Sequence, residues 1–196
     1  MNALLRVLAQ SCFVGLAVLA SVAGCAGSLV EPDDPPATGD VVPFTSGLRI
    51  GWDYGTRQRL FDGPASYPRM TRLHSGTLLV SVESAGSSYV LRSTDDGRTW
   101  SAPILAAAAS NGIMAAVPSL LQLADGVVLL AYNTRPPADN ANTTRRFGIK
   151  VVASPDEGRT WQPRADVFEG GWAWGEGVWE PAMLQRETGE VLLYFA

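Results

Sequence analysis

At 196 residues, with 15 basic side chains against 19 acidic ones and a net charge of −4, the chain has no basic excess. The charges are scattered and form no basic stripe, so nucleic acid is excluded as an expected partner. Two cysteines and one histidine leave little for metal chemistry: a zinc site or a Ser-His-Asp triad would have to rest on His74. His74-Ser75-Gly76 reads as an exposed turn, so neither a metal nor a cofactor is expected.

The first segment reads as a targeting signal rather than as part of the fold. Arg6 gives a short positive head, Val7 to Ala23 are almost all apolar or small, and the run stops at Val22-Ala23-Gly24-Cys25. Small residues followed at once by a cysteine resemble the lipobox of bacterial lipoproteins. That resemblance implies a signal peptide over 1–24, lipidation of Cys25 and a place in the bacterial cell envelope. An ordinary signal peptide with an incidental cysteine is the plainer alternative, and a retained membrane anchor is a third. Cys12 falls inside the removed segment, which leaves the mature chain no internal disulfide. Proline, acidic and small residues dominate 26–43, so 25–44 reads as a tether between the lipid and a domain over 45–196.

The domain is built from repeats. Pro68 and Gly76, Pro118 and Gly126, and Pro181 and Gly189 stand at one common spacing, and each glycine is followed by an apolar run. Each unit predicts a strand, a tight turn and a second strand. A different pattern, Ser-x-Asp-x-Gly-x-Thr-Trp, occurs twice. Its first copy is Ser93, Asp95, Gly97, Thr99 and Trp100; its second is Ser154, Asp156, Gly158, Thr160 and Trp161. The Asp accepts backbone N–H groups, the Gly supplies positive φ, the Thr hydroxyl closes the turn and the Trp plugs the space between sheets. These residues are expected to be structural. A calcium loop would need a regular oxygen series and a distal Glu, which are missing.

Together the two registers predict four-stranded units. The first has strands over 67–73, 77–83, 88–92 and 102–106, and the second over 117–123, 127–133, 147–153 and 164–168. The third has only its first two strands. Residues 135–142 read as a surface loop inserted into the second unit. Four-stranded units of this length predict β-propeller blades, with about two and a half present. A two-layer sandwich is the alternative, but it does not explain why the same turn recurs at the same place.

The Ser-x-Asp-x-Gly-x-Thr-Trp pattern is similar to the Asp-box, or bacterial neuraminidase repeat, of the sialidase-like superfamily. The resemblance covers residues 45–196 and implies an all-β, six-bladed propeller of which this chain is an N-terminal part. In that superfamily the boxes lie away from the active site, so the reaction rests on other residues. Sialidases carry Phe/Tyr-Arg-Ile-Pro in the first blade, where this chain has Tyr67-Pro68-Arg69-Met70. Asn111-Gly112-Ile113-Met114 stands where they carry an aspartate.

Tyr67-Pro68-Arg69, Asn133 and Trp179-Glu180-Pro181 look like the exo-arabinanase branch of the fold, glycoside hydrolase family 93. That resemblance implies Glu180 as a catalytic acid/base, Arg69 and Asn133 at sugar hydroxyls, and Trp174 or Trp179 stacked on a sugar ring. Glycoside hydrolysis needs two carboxyl groups, about 5–5.5 Å apart for retention and about 6.5–9.5 Å for inversion, so a partner is required. Glu176, between Gly175 and Gly177, reads as part of a mobile or exposed loop. Glu83 and Tyr132 are left open between the funnel and a neighbouring blade. The expected function is an exported exo-glycosidase acting on an oligo- or polysaccharide. A carbohydrate-binding propeller without catalysis, a true sialidase and a scaffolding propeller are the alternatives.

Overall fold

In this computed structural model, residues 5–7, 51, 53–136 and 146–196 are described. The leader and tether expected over 1–44, Cys25 included, lie outside them apart from residues 5–7, as does most of the expected inserted loop. The chain divides into two units, Cys12–Gln58 and a larger one of Met1–Ser11 with Arg59–Ala196. In the smaller unit the described element is a single 3-10 turn, Tyr54–Thr56, whose Asp53 carboxylate accepts the Gly55 N–H at 2.9 Å.

The larger unit is all β. In chain order the strands are β1 (Leu5–Val7), β2 (Ser66–Arg72), β3 (Leu78–Ser84), β4 (Ser87–Ser93), β5 (Ile104–Ala107), β6 (Met114–Gln122), β7 (Val128–Arg135), β8 (Gly148–Ser154), β9 (Gln162–Glu169), β10 (Ala182–Gln185) and β11 (Val191–Tyr194). Strands β2 to β5 form one antiparallel sheet in chain order, and β6 to β9 form a second. Strands β10 and β11 pair as a hairpin, with β1 parallel to β11. β1 comes from the stretch that the sequence assigns to a leader. Its backbone pairs along one edge of β11, Leu5 with Val191 through Val7 with Leu193.

All three Pro–Gly hairpins form, with one turn geometry. Leu73 N–H bonds Thr77 O, Leu123 N–H bonds Val127 O and Arg186 N–H bonds Glu190 O, each at 2.8 Å. The sheets pack face to face through apolar side chains. Leu73, Leu79 and Val90 of the first unit meet Val128, Leu130 and Val152 of the second. Ala131, Phe147, Ile149 and Val151 meet Val178, Val191 and Leu193 of the hairpin. Each fully buried Val, Leu, Ile or Phe contributes about 1.5–3 kcal/mol.

Glutamines hook each sheet to the one before it. Gln122 Oε1 accepts the His74 N–H at 2.7 Å, while its Nε2 donates to Gly126 O at 3.2 Å. Gln185 repeats this with Ala124 N–H at 2.7 Å and Gly189 O at 3.1 Å. His74 thus contributes its backbone from an exposed turn.

Both Ser-x-Asp-x-Gly-x-Thr-Trp turns lie between the third and fourth strands of a four-stranded sheet. Ser93 Oγ donates to Asp95 Oδ1 at 2.8 Å and accepts the Gly97 N–H at 2.8 Å. Asp95 accepts Thr99 N–H at 2.9 Å and Thr99 O–H at 2.6 Å, and Trp100 Nε1 donates to Gly97 O at 3.0 Å. Ser154, Asp156, Gly158, Thr160 and Trp161 make the same five bonds, all within 3.2 Å. Positive φ of 84° and 85° explains Gly97 and Gly158. The Thr99 and Ser93 bonds hold Asp95 at about 2. For Asp156 burial works the other way, but the Thr160 and Ser154 bonds outweigh it and again hold the carboxyl at about 2. The second turn also grips the first sheet: Arg92 Nε donates to Glu157 O at 2.7 Å. These residues latch their own turns, and the second turn also ties its sheet to the first. Repeated antiparallel sheets, latched and hooked in series, are consistent with part of a β-propeller.

Candidate functional site

The latches occupy one end of the sheets. At the other end lie the first residues of β6, the last of β7 and β9 and the first of β8, because Met114 pairs with Arg135 and Gly148 pairs with both Thr134 and Glu169. That end carries Arg69, Asn133, Trp174, Trp179 and Glu180.

The first strand of every unit is bulged there. Ser66 pairs with Glu83 before the register shifts to Arg69 with Ser81, and Ala116 pairs with Asn133 before a shift to Ser119 with Ala131. Ahead of β10, Trp179 and Ala196 exchange two bonds, of 2.8 and 3.0 Å, before Ala182 pairs with Tyr194. Within each bulge one residue precedes a proline with positive φ: Tyr67 at 51°, Val117 at 51° and Glu180 at 49°. A residue before proline favours extended backbone, and a non-glycine at positive φ costs about 1–3 kcal/mol. Such strain persists only where the surroundings impose it, and it gathers at functional sites. Glu180 is exposed, as are Tyr67 and Arg69, whereas Val117 is buried.

The loop between β9 and β10 is more ordered by contacts than its glycines imply. Glu176 folds back so that Oε2 accepts the Trp172 N–H at 3.0 Å and the Ala173 N–H at 3.4 Å, closing a 3-10 turn over Trp174–Glu176. A side chain at Gly171 would strike the Glu176 carboxylate, and one at Gly177 would strike the Trp179 indole. Close approach therefore requires both glycines, and the loop expected to be mobile or exposed is exposed around Glu176 and tied by its carboxylate. Phe147, fully buried, is the floor: Trp179 stands 5.1 Å from it edge-on and Trp174 5.7 Å from it, with the two indoles 5.2 Å apart. Trp174 remains 43 % exposed, so it offers an aromatic surface, while the half-buried Trp179, the residue before Glu180, packs against it as the support. Trp172 is covered by Arg146, whose guanidinium carbon lies 3.9 Å from the ring centre.

Asn133 is 0 % exposed and donates Nδ2–H to Val178 O at 3.2 Å. It faces protein rather than solvent, which departs from the expected role at sugar hydroxyls. Asn111 forms a tight turn in which Ser110 and Ile113 exchange bonds of 3.0 and 2.8 Å. Glu83 faces the neighbouring sheet. Its oxygens lie 2.9 and 3.0 Å from Arg135 Nη2, and Oε2 accepts the Val117 N–H at 3.1 Å. Tyr132 is half-buried; burial, and then the Asp166 charge, push its hydroxyl above the ordinary value. The sequence reading missed the Glu83–Arg135 clamp and the Phe147 floor. One signal was available: Glu83 and Asn133 stand at the same distance from their hairpin glycines.

An open cleft of about 480 Å³ runs along the same end, lined by Thr134, Arg146, Lys150, Asp166, Glu169 and Trp172 among others. Its charges satisfy one another, Arg146 with Glu169 at 2.7 Å and Lys150 with Asp166 at 3.0 Å. The described residues hold no group of three metal-ligating side chains. Among the described residues, this end offers the exposed Glu180 carboxylate on a strained bulge, with the exposed indole of Trp174 at the same end.

The family model of the BNR repeat-like domain matches residues 38–193. No curated protein matches the chain. Among solved structures, the GH93 alpha-L-arabinofuranosidase of Fusarium graminearum with arabinobiose is 26 % identical, with a TM-score of 0.53 over 67 % of this chain and 40 % of that one. The alpha-L-arabinofuranosidase of the same organism with an iminosugar inhibitor is 27 % identical, with a TM-score of 0.54 over 69 % and 41 %. The alpha-L-arabinanase of Penicillium chrysogenum with arabinobiose is 27 % identical, with a TM-score of 0.50 over 63 % and 38 %. The chain thus spans about two fifths of the length of these enzymes. It is homologous at low to moderate identity to GH93 enzymes, and it belongs to the BNR repeat-like domain family.

Proposed function

We propose that the protein is an exo-glycosidase that releases terminal arabinofuranosyl units from an oligo- or polysaccharide, with Glu180 as one carboxylate of an acid/base pair. The observation that carries this reading is the exposed Glu180 on a strained bulge directly after Trp179, whose indole packs against exposed Trp174, in a chain similar to GH93 arabinan-acting enzymes. A water-accessible carboxylate and an exposed aromatic surface at the same end of the sheets suit a sugar ring whose glycosidic oxygen must be protonated. Arg69 stands just after the first bulge, where an exposed guanidinium suits hydroxyl groups. The full reading is a six-bladed propeller, exported and held at the bacterial cell envelope through Cys25; the leader and tether compositions support that part.

A non-catalytic carbohydrate-binding role is the second reading, and one observation favours it. Glu83 is bound by Arg135, Glu176 by its own loop, Asp166 by Lys150 and Glu169 by Arg146, so none of these four is a ready partner for Glu180. Incubation with arabino-oligosaccharides and with sialosides, followed by chromatography of products, separates the readings. Release of arabinose or arabinobiose supports the proposal. Release of sialic acid supports a sialidase, and retention of intact sugar without cleavage supports a binding module.

A further inference from the structure

We infer that Asn133 is the positioning residue for Glu180: its buried carboxamide, reaching from the preceding sheet, holds the backbone that turns Glu180 out of the strand. The inference rests on the proposed role of Glu180 as a reacting carboxylate. It starts from the repeated bulge. The second bulge, at Val117, is held from the sheet before it, since Glu83 accepts the Val117 N–H at 3.1 Å and is fixed in turn by Arg135. The residue that stands in the second sheet where Glu83 stands in the first is Asn133, each paired with the residue just before a bulge.

Asn133 reaches forward in the same way. Its Nδ2 donates to the carbonyl of Val178, two residues before Glu180, while its backbone belongs to β7. The side chain is fully buried, and its Oδ1 has no hydrogen-bond partner. A buried acceptor left unpaired is costly and rare, and its retention points to a role beyond packing. The change from carboxylate to carboxamide also has a chemical reason. A Glu in this place would bury a second negative charge close to Glu180, whereas the neutral Asn supplies a donor that fixes the carbonyl without competing for protons. Val117 is apolar and buried, so its bulge takes a charged clamp; Glu180 is the bulge residue that must react, so its clamp is neutral.

The test is a double-mutant cycle in the full chain, with Asn133→Ala, Glu180→Ala and both, assayed on an arabino-oligosaccharide. Misplacing a reacting group by an ångström costs about 100-fold. Asn133→Ala is therefore expected to lower kcat by about that factor while KM stays within about twofold, and to cause no further loss in the Glu180→Ala background. A rise in KM with kcat retained, or an undiminished loss in the Glu180→Ala background, overturns the inference. Where Asn133→Ala does not fold, Asn133→Leu, which keeps the branching and approximate size and removes the donor without adding a charge, replaces it with the same expectations. If the wild-type protein cleaves no glycoside, the functional reading has failed, and the positioning role is then read from the crystal structure of the Asn133 variant. Movement of Glu180 from its positive φ to extended backbone supports it, and an unmoved Glu180 overturns it.

Discussion

Arg135 Nη2 lies 2.9 and 3.0 Å from the two carboxylate oxygens of Glu83, joining β7 of the second sheet to β3 of the first. Both side chains are nearly buried, at 13 % and 11 % exposure, and Glu83 also holds the amide of the strained Val117. Burying this pair costs desolvation, so the pair adds little net stability, but removing one partner strands the other. Arg135→Met is expected to destabilise the protein by about 3–5 kcal/mol in urea unfolding. Arg135→Met with Glu83→Leu is expected to recover part of that loss, the remainder being the Val117 N–H left without its acceptor. Equal losses in the single and double variants would show that the pair is not the unit that matters.

The two Asp latches predict an acid-sensitive stability. Both carboxyls are held at about 2 against an ordinary 3.8. A depressed carboxyl favours the folded state when ionised, so its contribution is complete above pH 3.8 and is lost as the pH falls through about 2. Urea midpoints measured down that range should fall more steeply for wild type than for Asp95→Asn with Asp156→Asn. At neutral pH, Asp156→Asn should cost about 1–3 kcal/mol, through the charged hydrogen bonds to Thr160 and Ser154. Parallel pH profiles for the two proteins would contradict this assignment.

Gly177→Ala tests the loop that carries the aromatic surface. The added methyl meets the Trp179 indole, so the indole must leave Phe147 or the loop must shift. Loss of sugar binding is expected, measured by titration calorimetry. The cost in stability is expected at about 1–3 kcal/mol, as for other overpacked sites. Unchanged sugar affinity would detach this loop from the site.

The repeat made much of the fold legible. The common Pro-to-Gly spacing placed the hairpins β2–β3, β6–β7 and β10–β11, with ends a few residues from those observed, and the Ser-Asp-Gly-Thr-Trp turns fell between third and fourth strands as read. β6 nevertheless begins at Met114, ahead of the expected start, because a bulge absorbs Pro118 and lets the strand continue through it. Alternation in sequence does not show a bulge, since the extra residue breaks the period that would reveal it. The site was legible only in part. Trp179-Glu180-Pro181 marked the candidate carboxylate proposed above, but the burial of Asn133 and the tie made by Glu176 depend on neighbours that no local pattern records. The bond between Glu83 and Arg135 spans two sheets, and an ion pair so distant in sequence leaves no periodic trace.

In the proposed mechanism Glu180 transfers a proton to or from the glycosidic oxygen, and the decisive measurement is kcat of Glu180→Gln on an arabino-oligosaccharide, with sugar binding measured in parallel. The amide keeps the size of the side chain and removes the acid. A loss of about 10²–10⁴-fold in kcat with sugar affinity retained is the predicted result. Hydrolysis at the wild-type rate would contradict the assignment of Glu180.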